Sequence, residues 1–290
     1  MMHYYVSYFL KTLELEKYGT GTGVPTLNRN DVHKVRVAFP SLPEQKKIAR
    51  ILSSVDSKLA LIDRQITTTQ TLKKGLMQKL FTQGVGTQDA DGRWQPHTEF
   101  QETELGRIPT VWEVAELQTL AHSISVGIAT STTSHYVPKG IPLIRNQNIL
   151  PDQLNDEDLL YISEEFDQKN RNKRLHSGDV LTVRTGYPGI TCVVPEKYVG
   201  AHTFTTLITR PKQEYVCSDY LSRYFNSPKG NDLMLGRAVG GAQQNINAGS
   251  LKNLLIPVPT LQEQQEIARI LSTVDHKLDH LQTQKPKPNS

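Results

Sequence analysis

Two kinds of side-chain arrangement in this 290-residue sequence could do chemistry. The first is Pro151-Asp152 followed, after 14 intervening residues, by Asp167-Gln168-Lys169. Two carboxylates and an amine in that order are what a metal-dependent nuclease uses to hold Mg²⁺ and orient a water. The spacing rule is permissive and the intervening stretch is crowded with acids, so a chance match is the plainer reading. The second is a set of polar loops rich in groups that hydrogen-bond base edges and phosphates. Arg145-Asn146-Gln147-Asn148 follows an expected strand, and Arg184-Thr185-Gly186-Tyr187-Pro188-Gly189 joins a cation and an aromatic to glycines that let backbone approach a duplex. Lys169-Asn170-Arg171-Asn172-Lys173-Arg174 places four cations in six residues, and Gly240-Gly241-Ala242-Gln243-Gln244-Asn245 offers two adjacent glutamines. Each has a plainer reading: a polar surface loop, a tight turn, a solvated face and, foremost for the fourth, a structural turn.

Other catalytic signatures are missing. There is no Walker A loop and no Asn/Asp-Pro-Pro-aromatic tetrapeptide, and Gly19, Gly21 and Gly23 have the wrong spacing for a dinucleotide loop. The nine histidines do not pair into metal spacing, and Cys192 and Cys217 are too few for a disulfide framework. No catalytic residue, metal ligand or cofactor is therefore assigned. Thirty-three basic against 29 acidic residues leave +4, which permits a nucleic-acid partner without demanding one. The cysteines suit a reducing cytoplasm. The first residues are too interrupted by charge for a signal peptide, and no apolar run of 18 residues exists, so the expectation is a cytoplasmic protein with no membrane span.

What positions these loops is an internal repeat. Residues 40–59 (PSLPEQKKIARILSSVDSKL) and 259–278 (PTLQEQQEIARILSTVDHKL) share 14 of 20 positions at an offset of 219 without a gap. Each copy has a short β-branched run (Val35-Arg36-Val37 or Leu254-Leu255-Ile256) leading to a proline. A capping box follows, Ser41-x-x-Glu44 or Thr260-x-x-Glu263, which starts a helix. In the first helix Ile48, Leu52, Val55, Leu59, Ile62 and Ile66 alternate spacings of four and three, the seam of a coiled coil. It runs to a stop near Gly84, and residues 43–81 would reach roughly 58 Å at 1.5 Å per residue. The second helix repeats the seam with Ile267, Leu271, Val274 and Leu278 over a shorter length and stops at Lys285-Pro286-Lys287-Pro288. Such a seam serves either as a packing stripe or as a partner interface. Between the helices, residues 98–258 read as one α+β domain of short strands broken by Gly and Pro, with a helix near 216–226.

The order of these marks resembles the specificity subunits of type I restriction-modification enzymes. The resemblance rests on the two P-x-L-x-E-Q-x-x-I-A-R-I-L-S segments, the LGRIPTVWEV opening at 105–114, the GIPLIRNQNI run at 140–149 and the GDVLTVRTGYPG run at 178–189. It implies a noncatalytic α+β subunit in which residues 98–258 form a complete target-recognition domain. Residues 41–84 and 259–284 would be the coiled-coil-like spacer helices, and residues 1–40 the remnant of a first recognition domain. The implied partners are double-stranded DNA, methyltransferase (modification) subunits docked on the helices and, through the complex, a motor-nuclease (restriction) subunit. The family pattern calls for two complete recognition domains, so the chain is expected to be a shortened form. Two copies pairing through the first helix are one way to restore the symmetry, as a homodimer; an inert fragment and an autonomous nuclease on Asp152, Asp167 and Lys169 are the rival readings.

Overall fold

The computed structural model describes residues 2–20, 26–236 and 245–286. Its helices are α1 (Met2–Thr12), α2 (Arg29–Val32), α3 (Leu42–Gln83), α4 (Glu164–Lys169), α5 (Ser218–Asn226), α6 (Pro228–Gly236), α7 (Ala248–Lys252) and α8 (Leu261–Thr283). Among the described residues no helix is long and apolar enough to cross a membrane. The chain divides into two units, Met1–Thr69 with Leu278–Ser290, and Gln70–Lys277.

In the first unit the capping box forms as its sequence requires. The backbone N–H and hydroxyl of Ser41 donate to one Glu44 oxygen at 2.9 and 2.7 Å, and α3 starts there. Helix α1 lies on the start of α3, where Tyr5 and Ala49 are buried and the Tyr8 hydroxyl donates to Asp56 at 2.5 Å. Ile62 and Leu281 are buried and Lys285 pairs with Asp63 at 2.6 Å. The seam positions Ile48, Leu52 and Val55 stay exposed. The expected strand at Val35-Arg36-Val37 does not form: residues 35–40 have no regular secondary structure and meet no second strand among the described residues.

The second unit holds the α+β body. A four-stranded antiparallel sheet runs in the order Thr191–Val193, Val180–Thr182, Leu207–Pro211, Ala121–Val126. A three-stranded sheet centres on Tyr136–Ile144, pairing antiparallel with Leu160–Ile162 and parallel with His202–Thr203. The strand Leu255–Val258, the second copy of the run that stays unpaired near residue 37, here pairs with Glu113–Glu116. The main core joins Met77, Leu80 and Phe81 of α3 to Trp112, Tyr220 and Tyr224, and to Ile267 and Leu271 of α8. Lys73 meets Asp275 at 2.5 Å while Val85 and Gly86, just after α3, reach Glu263 at the start of α8, so the end of α3 and α8 run antiparallel within this unit.

The duplication extends further than the sequence alone makes evident. Tyr5 and Ser7 in α1 correspond to Tyr220 and Ser222 in α5, at an offset of 215. The Tyr8–Asp56 clasp recurs as Arg223 donating to Asp275 at 2.7 Å. Gln45 and Gln264 each donate to the carbonyl of the proline five residues back, at 2.9 Å.

The two capping glutamates have different fates. Thr260 accepts from the Glu263 amide at 3.3 Å, but the Glu263 carboxylate turns inward instead of back to the cap. It accepts from the amides of Val85 (2.8 Å) and Gly86 (2.9 Å) and from the Trp112 indole (2.9 Å), with His97 Nε2 at 2.9 and 3.2 Å from its two oxygens. Gly84 ends α3 at φ +73°, and a Cβ there would lie 2.2 Å from Glu263 Oε1 and 2.7 Å from the Trp112 ring. Only glycine lets the chain turn past the carboxylate this closely. Removing this carboxylate strands several buried N–H donors, whereas removing Glu44 undoes one exposed cap. Glu263→Ala is expected to cost about 3 kcal/mol or more of stability and Glu44→Ala much less. Urea unfolding of the two variants measures the difference, and equal midpoints would contradict it.

Candidate nucleic-acid interface

The strand Tyr136–Ile144 delivers Arg145 to Asn148 at its end, and the hairpin of Val180–Thr182 with Thr191–Val193 carries residues 184–189 at its tip. Val183 closes that tip, its amide bonding to Ile190 O at 2.8 Å and its carbonyl accepting from Gly189 at 3.0 Å. The two loops are tied together. Asn146 Nδ2 donates to the Thr185 carbonyl at 3.1 Å, and its own carbonyl accepts from Thr206 Oγ1 at 3.2 Å. From the other side Arg184 Nε donates to Asn245 Oδ1 at 3.0 Å, and the Ile246 amide reaches the Arg184 carbonyl at 3.3 Å. Four segments separated in sequence thus form one braced surface.

On that surface Gln147 is exposed, and Tyr187, 81% exposed, stands at the tip of the hairpin. Arg184 and Thr185 are half-buried, Arg184 being held through its Nε by Asn245. Arg145 leans back, donating from Nη2 to the Asp158 carbonyl at 2.5 Å. Asn148 leaves the candidate set. It is buried, its amide donates to the carbonyls of Asn155 and Glu157, and its carbonyl accepts from the Arg145 amide. Gln243 and Gln244 lie outside the described residues.

The cationic run 169–174 is largely engaged by the protein itself. Lys169 pairs with Glu165 one turn away at 2.7 Å, and Lys173 donates to the Gly127 carbonyl at 2.9 Å. Arg174 grips Asp167 with Nε at 2.7 Å and with Nη2. Arg171 is exposed. Asp167 also faces His202 Nε2 at 2.9 Å, and the Arg174 hydrogen bonds hold its carboxyl below the usual carboxylate range. Burial pushes His202 below the ordinary histidine range, and its Nδ1 is buried without a hydrogen-bond partner among the described residues.

These contacts take apart the nuclease arrangement. Asp152 Oδ1 accepts from Ser222 and Asn226 at 2.8 Å each, and burial raises the carboxyl. Asp167 and Lys169 are bonded to Arg174, His202 and Glu165 instead. Among the described residues no group of three His, Cys, Asp or Glu side chains could hold a metal ion. Sequence reasoning missed the braces Asn245 and Thr206 and the His202–Asp167 pair. Asn245 ends a run whose glutamines drew attention, but nothing local marks the other two.

A family model described as the type I restriction modification DNA specificity domain matches residues 2–69 and 109–287. The chain belongs to that family. The specificity-domain chain is 28% identical over 288 residues to the type I restriction enzyme MjaVIII specificity subunit of Methanocaldococcus jannaschii, covering 95% of itself and 64% of the relative. It is 22% identical over 268 residues to the EcoBI specificity subunit of Escherichia coli, covering 90% of itself and 56% of that protein. It therefore spans less than two thirds of the length of these relatives. The S subunit of a type I restriction-modification system from M. genitalium shares its fold at a TM-score of 0.59 with 13% identity, over 97% of this chain and 67% of that one. The HsdS subunit of Thermoanaerobacter tengcongensis does so at 0.56 with 17% identity, over 95% and 62%. The α+β reading of the sequence and the family resemblance both stand.

The depressed His202 has a consequence for acid stability of this family member. A folded-state value below the unfolded one means the unfolded chain takes up the proton first, so stability falls as pH drops from about 6.5. Asp167 adds its own loss only below about pH 4, since its carboxyl is held down by Arg174. Replacing His202 with Asn is expected to flatten the pH dependence between about 6.5 and 5 while leaving the steeper loss below it. Unfolding midpoints across this range, compared between parent and variant, test this; an unchanged profile would remove His202 as its source.

Proposed function

We propose that this chain is a noncatalytic DNA-sequence-reading subunit of a type I restriction-modification system, with residues 98–258 reading a half-site. The observation that carries the reading is the braced loop surface, where Gln147, Arg184 and Tyr187 are presented on backbone held by Asn146, Thr206 and Asn245. Groups fixed before binding lose little entropy on contact, which is what discrimination between base pairs requires. The exposed Arg171 and Lys169 add phosphate contacts, while Arg145 and Thr185 set the loops' pose and Lys173 and Arg174 hold the body together. The names of the relatives and the family description support the same reading.

Helices α3 and α8 are the proposed scaffold for methyltransferase subunits, with the motor-nuclease subunit joining through them, in the cytoplasm. The exposed Ile48, Leu52 and Val55 support a partner surface on α3, whereas Ile267 and Leu271 of α8 are buried within the chain. A homodimer paired along the whole of α3 would have to displace α8 from Met77, Leu80 and Phe81, which it already covers. That favours docking of unlike subunits over symmetric self-pairing.

Competition binding with short duplexes at several salt concentrations tests the reading. Affinity is expected to fall steeply with salt, and Arg171→Ala to weaken all sequences alike and reduce the slope by about one unit. Arg184→Ala is expected to relax preference at particular base pairs by about 1–3 kcal/mol. A protein that binds no duplex at low salt, or a preference indifferent to Arg184, would overturn it.

A further inference from the structure

Four charged side chains meet behind the reading hairpin, and they are unevenly paired. The side chains of Asp152 and Arg223 are 8% and 10% exposed, those of Asp275 in α8 and Lys73 in α3 23% and 21%. Both cations sit on Asp275: Arg223 Nη1 donates to Oδ2 at 2.7 Å, and Lys73 meets Oδ1 at 2.5 Å. Asp152 is left with the neutral donors Ser222 and Asn226, both on Oδ1. Its Oδ2 is buried with no hydrogen-bond partner among the described residues, 3.9 Å from the same Arg223 Nη1. The Asp152 backbone is also in the left-handed region, at φ +60°. A buried carboxylate oxygen without a donor and a non-glycine residue at positive φ each cost free energy, and such costs cluster at switch regions. The relieving arrangement is close by. A shift of about 1 Å brings Arg223 Nη1 within hydrogen-bonding range of Asp152 Oδ2. Lys73 stays on Asp275, and each carboxylate then has one cation.

Asp152 leads directly to the hairpin. Its amide donates to the Thr191 carbonyl at 2.9 Å. Asn226, which donates to Asp152, closes on Thr191 from both sides: Nδ2 donates to its carbonyl at 2.7 Å and Oδ1 accepts from its amide at 3.0 Å. The Thr191 hydroxyl in turn donates to the Gly189 carbonyl at 3.1 Å, in the loop that carries Tyr187. We propose that Arg223 is a two-position clasp: on Asp275 it ties α5 to α8, and on Asp152 it tightens the root of the reading hairpin, the position that bound DNA favours. The clasp is a regulation of the DNA-reading surface and rests on that reading. A loop fixed before contact binds more tightly, so the arrangement with Arg223 on Asp152 is the one with higher affinity. By reciprocity, whatever loosens Arg223 from α8 tightens DNA binding. Arg223, Asp152 and Asn226 act through Thr191 and are positioning residues.

The test compares Asp152→Asn and Asp275→Asn in the full chain. Asparagine keeps the oxygen to which Ser222 and Asn226 donate and accepts a positive φ well, so Asp152→Asn removes only the charge that draws Arg223. Binding of a short mixed-sequence duplex at low salt is expected to weaken about fivefold with Asp152→Asn. With Asp275→Asn it is expected to tighten about fivefold, because Asp152 is then the one charged carboxylate of the two. Hydrogen exchange at the Thr191 amide, in the chain without DNA, is expected to slow in Asp275→Asn and not in Asp152→Asn. Loss of a merely structural contact would weaken binding and speed exchange in both variants. Shifts in the same direction, or none, would therefore overturn the proposal. A parent chain that binds no duplex while the Thr191 exchange moves as expected supports the clasp and overturns the DNA-reading role instead.

Discussion

A carboxylate buried away from water is tolerated only when hydrogen-bond donors replace its hydration, and Glu263 is where this chain meets that demand. Its donors come from the turn after α3, at Val85 and Gly86, and from the opening of the α+β body at Trp112, while Glu263 itself starts α8. Three elements far apart in sequence are thereby held in one register. Close packing of Phe81, Tyr220, Tyr224, Ile267 and Leu271 follows from that register. The strand pairing of Leu255–Val258 with Glu113–Glu116 leaves the Trp112 side of the same junction, so the sheet and the helices share one anchor.

The helices were legible because period and caps are local properties. The four-and-three seam, the Ser41 and Thr260 boxes and Gly84 give α3 and α8 nearly to the residue. What the boxes could not tell was that two glutamates at one repeat position have opposite roles. Whether Glu263 caps its helix or binds Trp112 depends on a neighbour 151 residues away. The strand expected at Val35-Arg36-Val37 failed for a related reason. Its composition is that of a strand, but a strand is a pair, and among the described residues only the second copy has its partner.

The loops were legible as polar and not as individuals. Arg145-Asn146-Gln147-Asn148 reads as four equivalent hydrogen-bonding groups, yet Asn148 is consumed by backbone seven and nine residues on, Asn146 braces Thr185, and Gln147 alone of the four is exposed. The run at 169–174 reads as a charge patch, but Asp167 and the Gly127 carbonyl claim two of its cations. In both cases the polar residues that build a rigid surface have the same composition as those that read a ligand. Their division of labour is set by contacts that no local pattern contains. That division also makes the surface suited to recognition, because the bracing residues fix the few that remain free.

The role proposed for this chain is to choose the DNA sequence on which its partners act. The most direct measurement is to coexpress it with the methyltransferase subunit of its own system and map modified bases across the host genome. The account predicts modification confined to one sequence motif and absent when the chain is omitted. Modification at the same positions without the chain, or none in its presence, would contradict it.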